Sequence, residues 1–546
     1  MREGAGLTRL AAVGMRVGQE LWALWQVGRA GGLAPMPTRQ LGVISAAMRD
    51  YGPIGAAVTT AAIRHAHRTA LIDERGPLSF ADLESRSNAV ANSWRRRGLV
   101  AGDGVAILAR NHRGFVDALF AAAKSGARIV LLNTDFGAEQ LREVLDREGA
   151  DLLVYDEEYG DAVADVDLRL GTTVAWSDTT VDNSLETAIS EGDSSPPPKP
   201  GGRAKLIILT SGTTGTPKGA PRSEPRSMLP AGGLLSKAPF RARETTECCV
   251  PLFHALGFGH IMLGLLLGST LVVRRRFDAQ RTVDSLAEHR ATAMIAVPVM
   301  LRRILDLGVE SRVHKDLSAL RIIFVAGSAL GAPLCRDVMD VFGPVVYNMY
   351  GSTEVAYATI ATPEDLAAEP GCVGRAVPGT VVKLLDDVGR GVPTGHRGRI
   401  FVGNGIQFDG YTGGGSKECV DGLLASGDIG HFDSAGRLFI DGRDDDMIIS
   451  GAENVFPAEV EETLAAHPAI REAAVIGVPD AEYGQRLRSF VALYPGARIS
   501  EQEIKDYVRQ RLARFKVPRD VIFVDALPRN PTGKVVKRHL NGADTV

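Results

Sequence analysis

The chain has 546 residues, of which 45% are hydrophobic and 23% are charged, and its formal net charge is −3. A chain of this length and composition is a globular protein with room for more than one domain. The slightly acidic balance excludes the broad basic surface that a nucleic-acid partner needs. The five cysteines lack the paired short spacing of a zinc site, so we expect reduced thiols in a cytoplasmic protein.

The first forty residues have the pattern of an amphipathic helix. Apolar residues recur at helical spacing from Leu7 to Leu24, with Trp22 and Trp25 beside them. A helix lying on a membrane surface fits this pattern, and so does a helix packed on the protein's own body. Arg16 and Glu20 interrupt the apolar run that a secretory signal requires. Residues 1–50 are therefore predicted to be an N-terminal extension, and the sequence leaves open whether it contacts lipid.

From residue 78 onward, helical and strand-like segments alternate in a way that indicates βαβ units and a parallel sheet. The uncharged segment 250–273 contains two histidines, a proline and four glycines, which favours a buried wall over a bilayer span. The Ser-, Pro- and Gly-rich segment 190–202 predicts an exposed loop. The predicted helices are a segment ending at 97, then 115–124 and 139–147, and the predicted strands are 105–108, 129–132, 152–155, 205–209, 321–325 and 345–349.

The same alternation restarts on a smaller scale after residue 442. A helix is predicted from Pro457, strands at 473–478 and 489–494, and a helix that begins with a capping box of Ser500 and Glu503. The sequence thus predicts a large domain at 51–442 and a compact α/β domain at 443–546.

A candidate phosphate-binding loop directly follows the predicted strand 205–209. Small hydroxyl and glycine residues let backbone N–H groups approach phosphate oxygens, and a lysine can neutralise their charge. Pro217 precedes the lysine and no Ser or Thr follows it, so the loop is not a Walker A motif. The candidate phosphate-binding residues are Thr210, Ser211, Gly212, Thr213, Thr214, Gly215 and Lys218.

This loop resembles the phosphate loop of the adenylate-forming superfamily, which includes acyl-CoA synthetases, aryl-CoA ligases, peptide-synthetase adenylation domains and luciferases. The resemblance runs from about residue 55 to the C-terminus. It implies an α/β adenylate-forming fold, with a large multi-subdomain N-terminal domain containing parallel sheets and a small mobile C-terminal domain. Seven further segments agree in order: PLFH at 251–254, AGSAL at 326–330, YGSTE at 350–354, SGD at 426–428, GRDDD at 442–446, SGAEN at 450–454 and PTGK at 531–534.

The resemblance implies an AMP-forming acid–thiol ligase, which joins a carboxylate to AMP and transfers the acyl group to coenzyme A. ATP, Mg²⁺ and coenzyme A are the implied cosubstrates and cofactor. Attack of a carboxylate on the α-phosphorus needs alignment and a cation at the developing charge. Lys534 matches the family's catalytic lysine and is the candidate for that cation.

The other site residues follow from the same matches. Glu354 is the implied magnesium ligand, and Thr353 the implied contact of the α-phosphate. Asp445 is the implied hinge of the small domain. Tyr350 would lie against adenine with Gly327 and Ser328 lining the same site, Asp428 and Arg443 would hold the ribose hydroxyls, and Ser450, Gly451 and Ala452 would line the coenzyme A passage, where Ala452 replaces a glycine common in relatives.

The acyl pocket is expected to be apolar and open. Acetate-activating relatives place a bulky aromatic residue where this chain has Gly351, so the sequence predicts a medium- or long-chain fatty acid as substrate. Three alternatives remain open: an aryl-CoA ligase, a fatty acyl-AMP ligase that loads a carrier protein, and a catalytically silent acyl- or nucleotide-binding protein. The candidate pocket residues are His254, Leu256, Phe258, Val299 and Gly351.

Overall fold

The structure is a computed structural model that describes residues 2–210, 217–224, 227–444, 448–450, 453–480, 484–512 and 514–540. The described residues form four β-sheets with helices packed against them. Three sheets lie in the N-terminal part of the chain and one lies after residue 447. The domain limits given above remain a prediction.

The first sheet has six strands in the order β6-β5-β3-β4-β7-β8. All neighbours are parallel except β8, which runs antiparallel to β7. The predicted strands and helices of this region are present, and their ends lie within one or a few residues of the predicted ends. The strands are β3 (Gly104–Leu108), β4 (Arg128–Leu131), β5 (Ala150–Asp156), β6 (Thr172–Trp176), β7 (Lys205–Leu209) and β8 (Gly219–Arg222), and the helices are α3 (Phe80–Arg96), α4 (Arg113–Lys124), α5 (Ala138–Arg147), α6 (Gly160–Val163) and α7 (Leu185–Ser190).

The second sheet has nine strands in the order β15-β14-β13-β12-β11-β9-β10-β1-β2. Its six central strands are parallel, and β2, β14 and β15 are antiparallel to their neighbours. The strands are β1 (Thr69–Asp73), β2 (Gly76–Ser79), β9 (Thr245–Cys248), β10 (Thr270–Val273), β11 (Ala293–Ala296), β12 (Ile322–Val325), β13 (Val346–Ser352), β14 (Ala356–Ala361) and β15 (Arg375–Ala376), and the helices are α8 (Leu229–Lys237), α9 (Ala255–Leu267), α10 (Ala279–Glu288), α11 (Pro298–Asp306), α12 (Glu310–Val313), α13 (Ala332–Phe342) and α14 (Pro363–Ala368).

The other two sheets have five strands each. In the last one, β25 is parallel to β24 and the other pairs are antiparallel. The capping box predicted for Ser500 and Glu503 begins α16. The third sheet contains β16 (Val381–Leu385), β17 (Gly398–Gly403), β18 (Cys419–Val420), β19 (Leu423–Phe432) and β20 (Leu438–Arg443), and the fourth region contains β21 (Ile448–Ser450), β22 (Glu453–Val455), β23 (Ile470–Asp480), β24 (Gly484–Leu493), β25 (Asp520–Phe523), α15 (Pro457–Ala465) and α16 (Glu501–Arg509).

Two long helices precede the first strand, α1 (Arg2–Arg29) and α2 (Thr38–His65). The second half of α1 packs on the protein's own body, because Ala23 and Val27 are fully buried. A Cβ added to Gly232 of α8 would lie 2.6 Å from the Cα of Ala23, so the two backbones are in close contact. Helix α2 breaks at Gly52, whose φ of 72° favours glycine. No described helix combines the length and the apolar character needed to cross a bilayer.

Helix α4 organises the core, since each of its twelve residues is buried. It contains three charged residues, and each reaches an opposite charge on a neighbouring element. A buried charge that loses its partner destabilises a fold strongly. The pairs are Arg113 with Asp73 at 2.6 Å, Asp117 with Arg86 at 2.8 Å and Lys124 with Glu84 at 2.7 Å.

We expect Lys124→Ala to lower the free energy of unfolding by roughly 3 kcal/mol or more, because it leaves Glu84, Ser87 and Asn88 without their buried donor. Urea unfolding followed by circular dichroism measures the loss. Lys315→Ala, which removes an exposed pair with Asp284, is the control and should cost far less. Equal losses for the two variants would contradict this account of α4.

Candidate active site

The candidate site forms where strands of the two large sheets end. The predicted phosphate loop follows β7, the loop with Gly327 and Ser328 follows β12, and Thr353 and Glu354 follow β13. Ligands of parallel sheets collect at these carboxyl ends. Gly327 has a φ of 95°, which lets the chain turn sharply after the buried Ala326.

The base of the phosphate loop is closed by hydrogen bonds between its two ends. The backbone N–H of Thr210 donates to the carbonyl oxygen of Lys218 at 2.9 Å, and the Thr210 hydroxyl donates to the same oxygen at 3.2 Å. The Lys218 ammonium lies 5.3 Å from the centre of the Tyr411 ring. The intervening candidates Ser211, Gly212, Thr213, Thr214 and Gly215 lie outside the described residues.

The turn after β13 holds Glu354 in a fixed position. The Ser352 hydroxyl donates to one carboxylate oxygen at 2.9 Å, and the Tyr411 hydroxyl donates to the other at 2.8 Å. A guanidinium N–H of Arg222 donates to the carbonyl oxygen of Thr353. Strand β13 continues through Gly351 to Ser352, and the chain reverses direction only after Ser352.

Gly351 lies where β13 packs closely against the neighbouring strand β14. A Cβ added there would lie 1.9 Å from the carbonyl oxygen of Ala356 and 2.8 Å from the Cα of Tyr357, both on the neighbouring strand β14. Any side chain would displace that backbone, so close strand packing explains the glycine. The contribution of Gly351 to an open acyl pocket stays a prediction.

Asp428 is held by a tyrosine and an arginine. The Tyr350 hydroxyl donates to one of its carboxylate oxygens at 2.5 Å, and the Arg443 guanidinium lies 3.5 Å from the other. Asp428 and Arg443 are opposite each other on β19 and β20, so the sheet register creates this pair. Burial raises the pKa of Asp428, although Tyr350, Arg443 and Lys534 oppose the rise.

The turn that contains Lys534 belongs to the small C-terminal part of the chain and reaches the Gly327 loop. A Cβ added to Gly327 would lie 3.9 Å from the carbonyl oxygen of Thr532. One added to Gly533 would lie 2.8 Å from a methyl group of Val297 and 2.9 Å from one of Val299. Gly533 has a φ of 81°, so both its conformation and its contacts require glycine.

The ammonium group of Lys534 lies close enough to the charged groups of the site to interact with them. Protein atoms surround it on most sides, while the cleft remains open enough to leave the residue exposed to water. Desolvation lowers its pKa, the Arg443 cation lowers it further, and the carboxylates of Asp428 and Glu354 raise it. The structure thus brings Lys534, Glu354 and Asp428 within interaction range, although they come from distant parts of the sequence.

Three of the five candidate acyl-pocket residues, His254, Leu256 and Phe258, lie at the start of α9. His254 caps that helix by accepting a hydrogen bond from the backbone N–H of Leu256 at 3.4 Å. Desolvation, assisted by the cations Lys534 and Arg222, lowers the pKa of His254 to about 4, so its ring is neutral at pH 7. Leu256 is buried, Phe258 is half-buried on the same helix, and Val299 lies on α11 against the lysine turn.

The hinge candidate Asp445 and the passage residues Gly451 and Ala452 lie outside the described residues. Ser450 ends β21, where it pairs with Glu453 and Gly484, and its side chain lies outside the described part.

Sequence reasoning missed two residues that the structure places at the centre of the site. Arg222 on β8 joins the two large sheets through Thr353, and it interacts with Glu354 and Asp409. Desolvation lowers the pKa of Arg222 to about 10, so it stays charged at neutral pH. Tyr411 holds Glu354 and lies beneath Lys218. The available signal was weak: an arginine just after the phosphate loop, and a tyrosine in the glycine-rich run 409–415.

The donor set fits a magnesium ion that is held jointly with phosphate. Mg²⁺ is usually bound by one or two carboxylates together with substrate phosphates and waters. Glu354 supplies one carboxylate beside the phosphate loop, and the described residues contain no cluster of three or more His, Cys, Asp or Glu that would hold a metal alone.

Comparisons with known proteins agree with this geometry. The AMP-binding enzyme family model matches residues 58–412, and the AMP-binding enzyme C-terminal domain model matches residues 459–534. The chain belongs to the AMP-binding enzyme family. A feruloyl-CoA synthase of an Amycolatopsis species is 33% identical over 90% of this chain and 98% of its own. A long-chain-fatty-acid–CoA ligase of Mycobacterium tuberculosis is 31% identical over 84% of this chain and 92% of its own.

The fold is shared with solved adenylate-forming enzymes. The o-succinylbenzoate CoA synthetase of Bacillus subtilis, solved with an acyl-adenylate intermediate, superposes with a TM-score of 0.79 at 26% identity over 90% of this chain and 98% of that one. The expected superfamily, fold and enzyme class are confirmed: this family member is an AMP-forming acid–thiol ligase, a class that uses ATP, Mg²⁺ and coenzyme A.

We expect Arg222→Met to reduce the acid-dependent exchange of pyrophosphate into ATP by about tenfold or more, because the Thr353 carbonyl and Glu354 lose their buried cationic partner. Arg222→Lys should recover part of that loss, since it restores the charge without the planar fork. The exposed Arg390→Met is the matched control and should leave the exchange unchanged. Normal exchange by Arg222→Met would show that Arg222 does not position this turn.

Proposed function

We propose that this enzyme activates a medium- or long-chain fatty acid as its acyl adenylate and transfers the acyl group to free coenzyme A. One observation carries the proposal: the Pro531–Lys534 turn lies against the Gly327 loop, with the Lys534 ammonium in the field of Asp428 and Glu354. This arrangement supports the first half-reaction, in which a carboxylate and a nucleotide phosphate must meet beside a cation.

The roles of the site residues follow from their charges and partners. Lys534 stabilises the negative charge that develops as the carboxylate attacks the α-phosphorus. Thr353 and the loop from Thr210 to Lys218 hold the phosphates. The carboxylate of Asp428 accepts hydrogen bonds from the ribose hydroxyls, and the guanidinium of Arg443 donates hydrogen bonds to them. Glu354 would bind Mg²⁺, which would neutralise phosphate charge. No protein nucleophile is needed, because the substrate carboxylate itself attacks.

The fatty acid is favoured by the shape and chemistry of α9. This helix begins at His254, near the lysine turn, and its thirteen residues from Ala255 to Leu267 contain no formally charged side chain. A helix of thirteen residues is about 20 Å long. Toward its far end, Phe240, His260, Leu263 and Leu267 line a small crevice of about 10 Å³, together with polar and charged residues that include Arg241 and Glu244.

An aromatic acid is the second candidate, because the similar enzyme from Amycolatopsis is a feruloyl-CoA synthase. A panel of saturated fatty acids of increasing length and of benzoate- and cinnamate-type acids, assayed with ATP, Mg²⁺ and coenzyme A, separates the two. We expect the highest kcat/KM with a fatty acid and release of AMP with free acyl-CoA. Turnover confined to the aromatic acids would rule out the fatty acid as substrate. Transfer of the acyl group from acyl-AMP only to a carrier protein would rule out free coenzyme A as the acceptor.

Lys534→Ala should separate the two half-reactions. We expect the variant to lose roughly a hundredfold or more in adenylation, because a cation at the developing charge contributes about 3 kcal/mol to such steps. It should still convert supplied acyl-AMP to the thioester. The neighbouring Lys537→Ala is the control for loss of a nearby positive charge. Equal loss of both half-reactions would contradict a role for Lys534 in adenylation alone.

The pH dependence follows from the lowered pKa of Lys534. The lysine must be protonated to stabilise the transition state, so kcat/KM for adenylation should be high below this pKa and fall as the pH rises through it. The fall should begin below the ordinary lysine value of 10.5. Lys534→Arg should be slower yet lack this alkaline limb, and thioester formation from supplied acyl-AMP should lack it too. An unchanged limb in Lys534→Arg would assign it to another group.

A further inference from the structure

The N-terminal helix α1 carries an exposed apolar stripe that lies outside the residues matched by either family model. The stripe consists of Val17, Leu21, Leu24 and Trp25, which follow one another at spacings of four, three and one and so share one side of the helix. Their exposed fractions are 53%, 62%, 38% and 58%. Further exposed apolar residues follow in the connector and in the first half of α2, namely Leu33, Leu41, Val43 and Met48.

The protein's own body does not cover this stripe, because the other side of α1 is already packed. Ala23 and Val27 are fully buried, and the backbone of α1 meets that of α8 at Gly232. The carboxylate of Glu20 accepts a hydrogen bond from the backbone N–H of Met228 at 3.2 Å. These contacts fix the rotation of α1, so the stripe faces outward. Exposed apolar patches of this kind usually mark a surface that meets another apolar phase or partner.

The charges around the stripe favour an anionic partner. Between residues 16 and 50 there are four arginines and two acids, Glu20 and Asp50, which gives a local charge of +2 on a chain whose net charge is −3. Arg49 is paired with Asp50 at 3.0 Å. Arg16, Arg29 and Arg39 are exposed, whereas Glu20 is turned toward α8. The Arg29 guanidinium lies 5.7 Å from the centre of the Trp25 ring. A symmetric contact between two copies would bring the same cations together, which disfavours self-association through this surface.

We propose that the stripe binds the surface of an anionic phospholipid bilayer. Helix α1 lies parallel to the membrane, with Leu21 and Leu24 among the acyl chains near the headgroups and Trp25 at headgroup level. The flanking arginines contact lipid phosphates. This mode needs no membrane-crossing helix, in agreement with the apolar content of the described helices.

The position of the stripe gives the contact a consequence for the enzyme. The chain that follows α1 packs on the far end of α9: the backbone N–H of Ala242 donates to Ala30 at 2.7 Å, and Gly32 packs against Leu267. A bilayer that binds α1 is thus close to the crevice at Leu263 and Leu267. An apolar acid dissolved in that bilayer would reach the enzyme without first crossing bulk water. The lipid contact itself does not rest on the proposed function.

The test is co-sedimentation of the full-length protein with vesicles of phosphatidylcholine alone or of equal parts phosphatidylcholine and phosphatidylglycerol. We expect binding to the anionic vesicles, weaker binding to the neutral ones, and a further loss in high salt. The double variant Leu21→Glu/Trp25→Glu should reduce the affinity for vesicles by about tenfold or more, since it places charges where apolar side chains would enter the bilayer. The matched control is Val309→Glu/Val313→Glu, which adds the same charges at positions that are 67% and 63% exposed near α12.

A second variant separates charge from folding. Arg16→Gln/Arg29→Gln/Arg39→Gln should weaken binding to anionic vesicles and leave circular dichroism and pyrophosphate exchange unchanged. The proposal is overturned if the wild type fails to sediment with anionic vesicles, or if the control variant loses as much binding as the stripe variant. It is also overturned if the stripe variant changes a dimer to a monomer in light scattering while its vesicle binding stays intact. Vesicle binding is measured independently of the acid panel, so failure of the fatty-acid proposal would leave the lipid proposal standing.

Discussion

The site depends on the meeting of one ammonium group with two carboxylates that belong to another part of the chain. Lys534 interacts with Asp428 and Glu354 across the cleft, and it does so only while the Pro531–Lys534 turn lies against the Gly327 loop. The turn is held within the small C-terminal part: Asn530 accepts from the backbone N–H of Lys534 at 2.9 Å, and Arg529 donates to the carbonyl oxygen of Gly533 at 2.7 Å. These contacts fix the position of Lys534 relative to the rest of the C-terminal part.

The acceptors on the other side of the cleft are held by fixed partners. Glu354 is bound by Ser352 and Tyr411, Asp428 by Tyr350, and the carbonyl of Thr353 by Arg222. Fixed dipoles need little reorganisation when charge develops, which is the main source of electrostatic catalysis. Under the proposed function, the large part would hold the two anions in place and the small part would bring the cation that promotes their reaction.

Buried charges elsewhere in the large part are also held by fixed partners. Helix α4 is buried throughout, and its charged residues pair with α3 and β1 rather than with one another. Such pairs contribute less to net stability than apolar packing would, but each becomes costly when one partner is lost. They therefore favour one arrangement of β1, α3 and α4, and α4 in turn packs on the six-stranded sheet whose strand β7 leads into the phosphate loop.

The sequence by itself determined the elements that depend on local pattern. Strand β7 has the predicted limits, the capping box of Ser500 is present, and the ordered motifs were sufficient to identify the superfamily and enzyme class. The phosphate loop, Glu354, Asp428 and Lys534 could be named as candidates because each lies in a contiguous motif. Short-range patterns record backbone conformation and local chemistry, and these do not require knowledge of distant contacts.

Only the tertiary structure decided the remaining features. Arg222 and Tyr411 act on Glu354 across more than fifty residues of chain, so no local pattern marks them. Gly351 proved to be required by the backbone of β14, a contact that depends on strand register. The outward side of α1 was likewise decided by α8, because an amphipathic pattern defines two faces while only packing selects which one is buried.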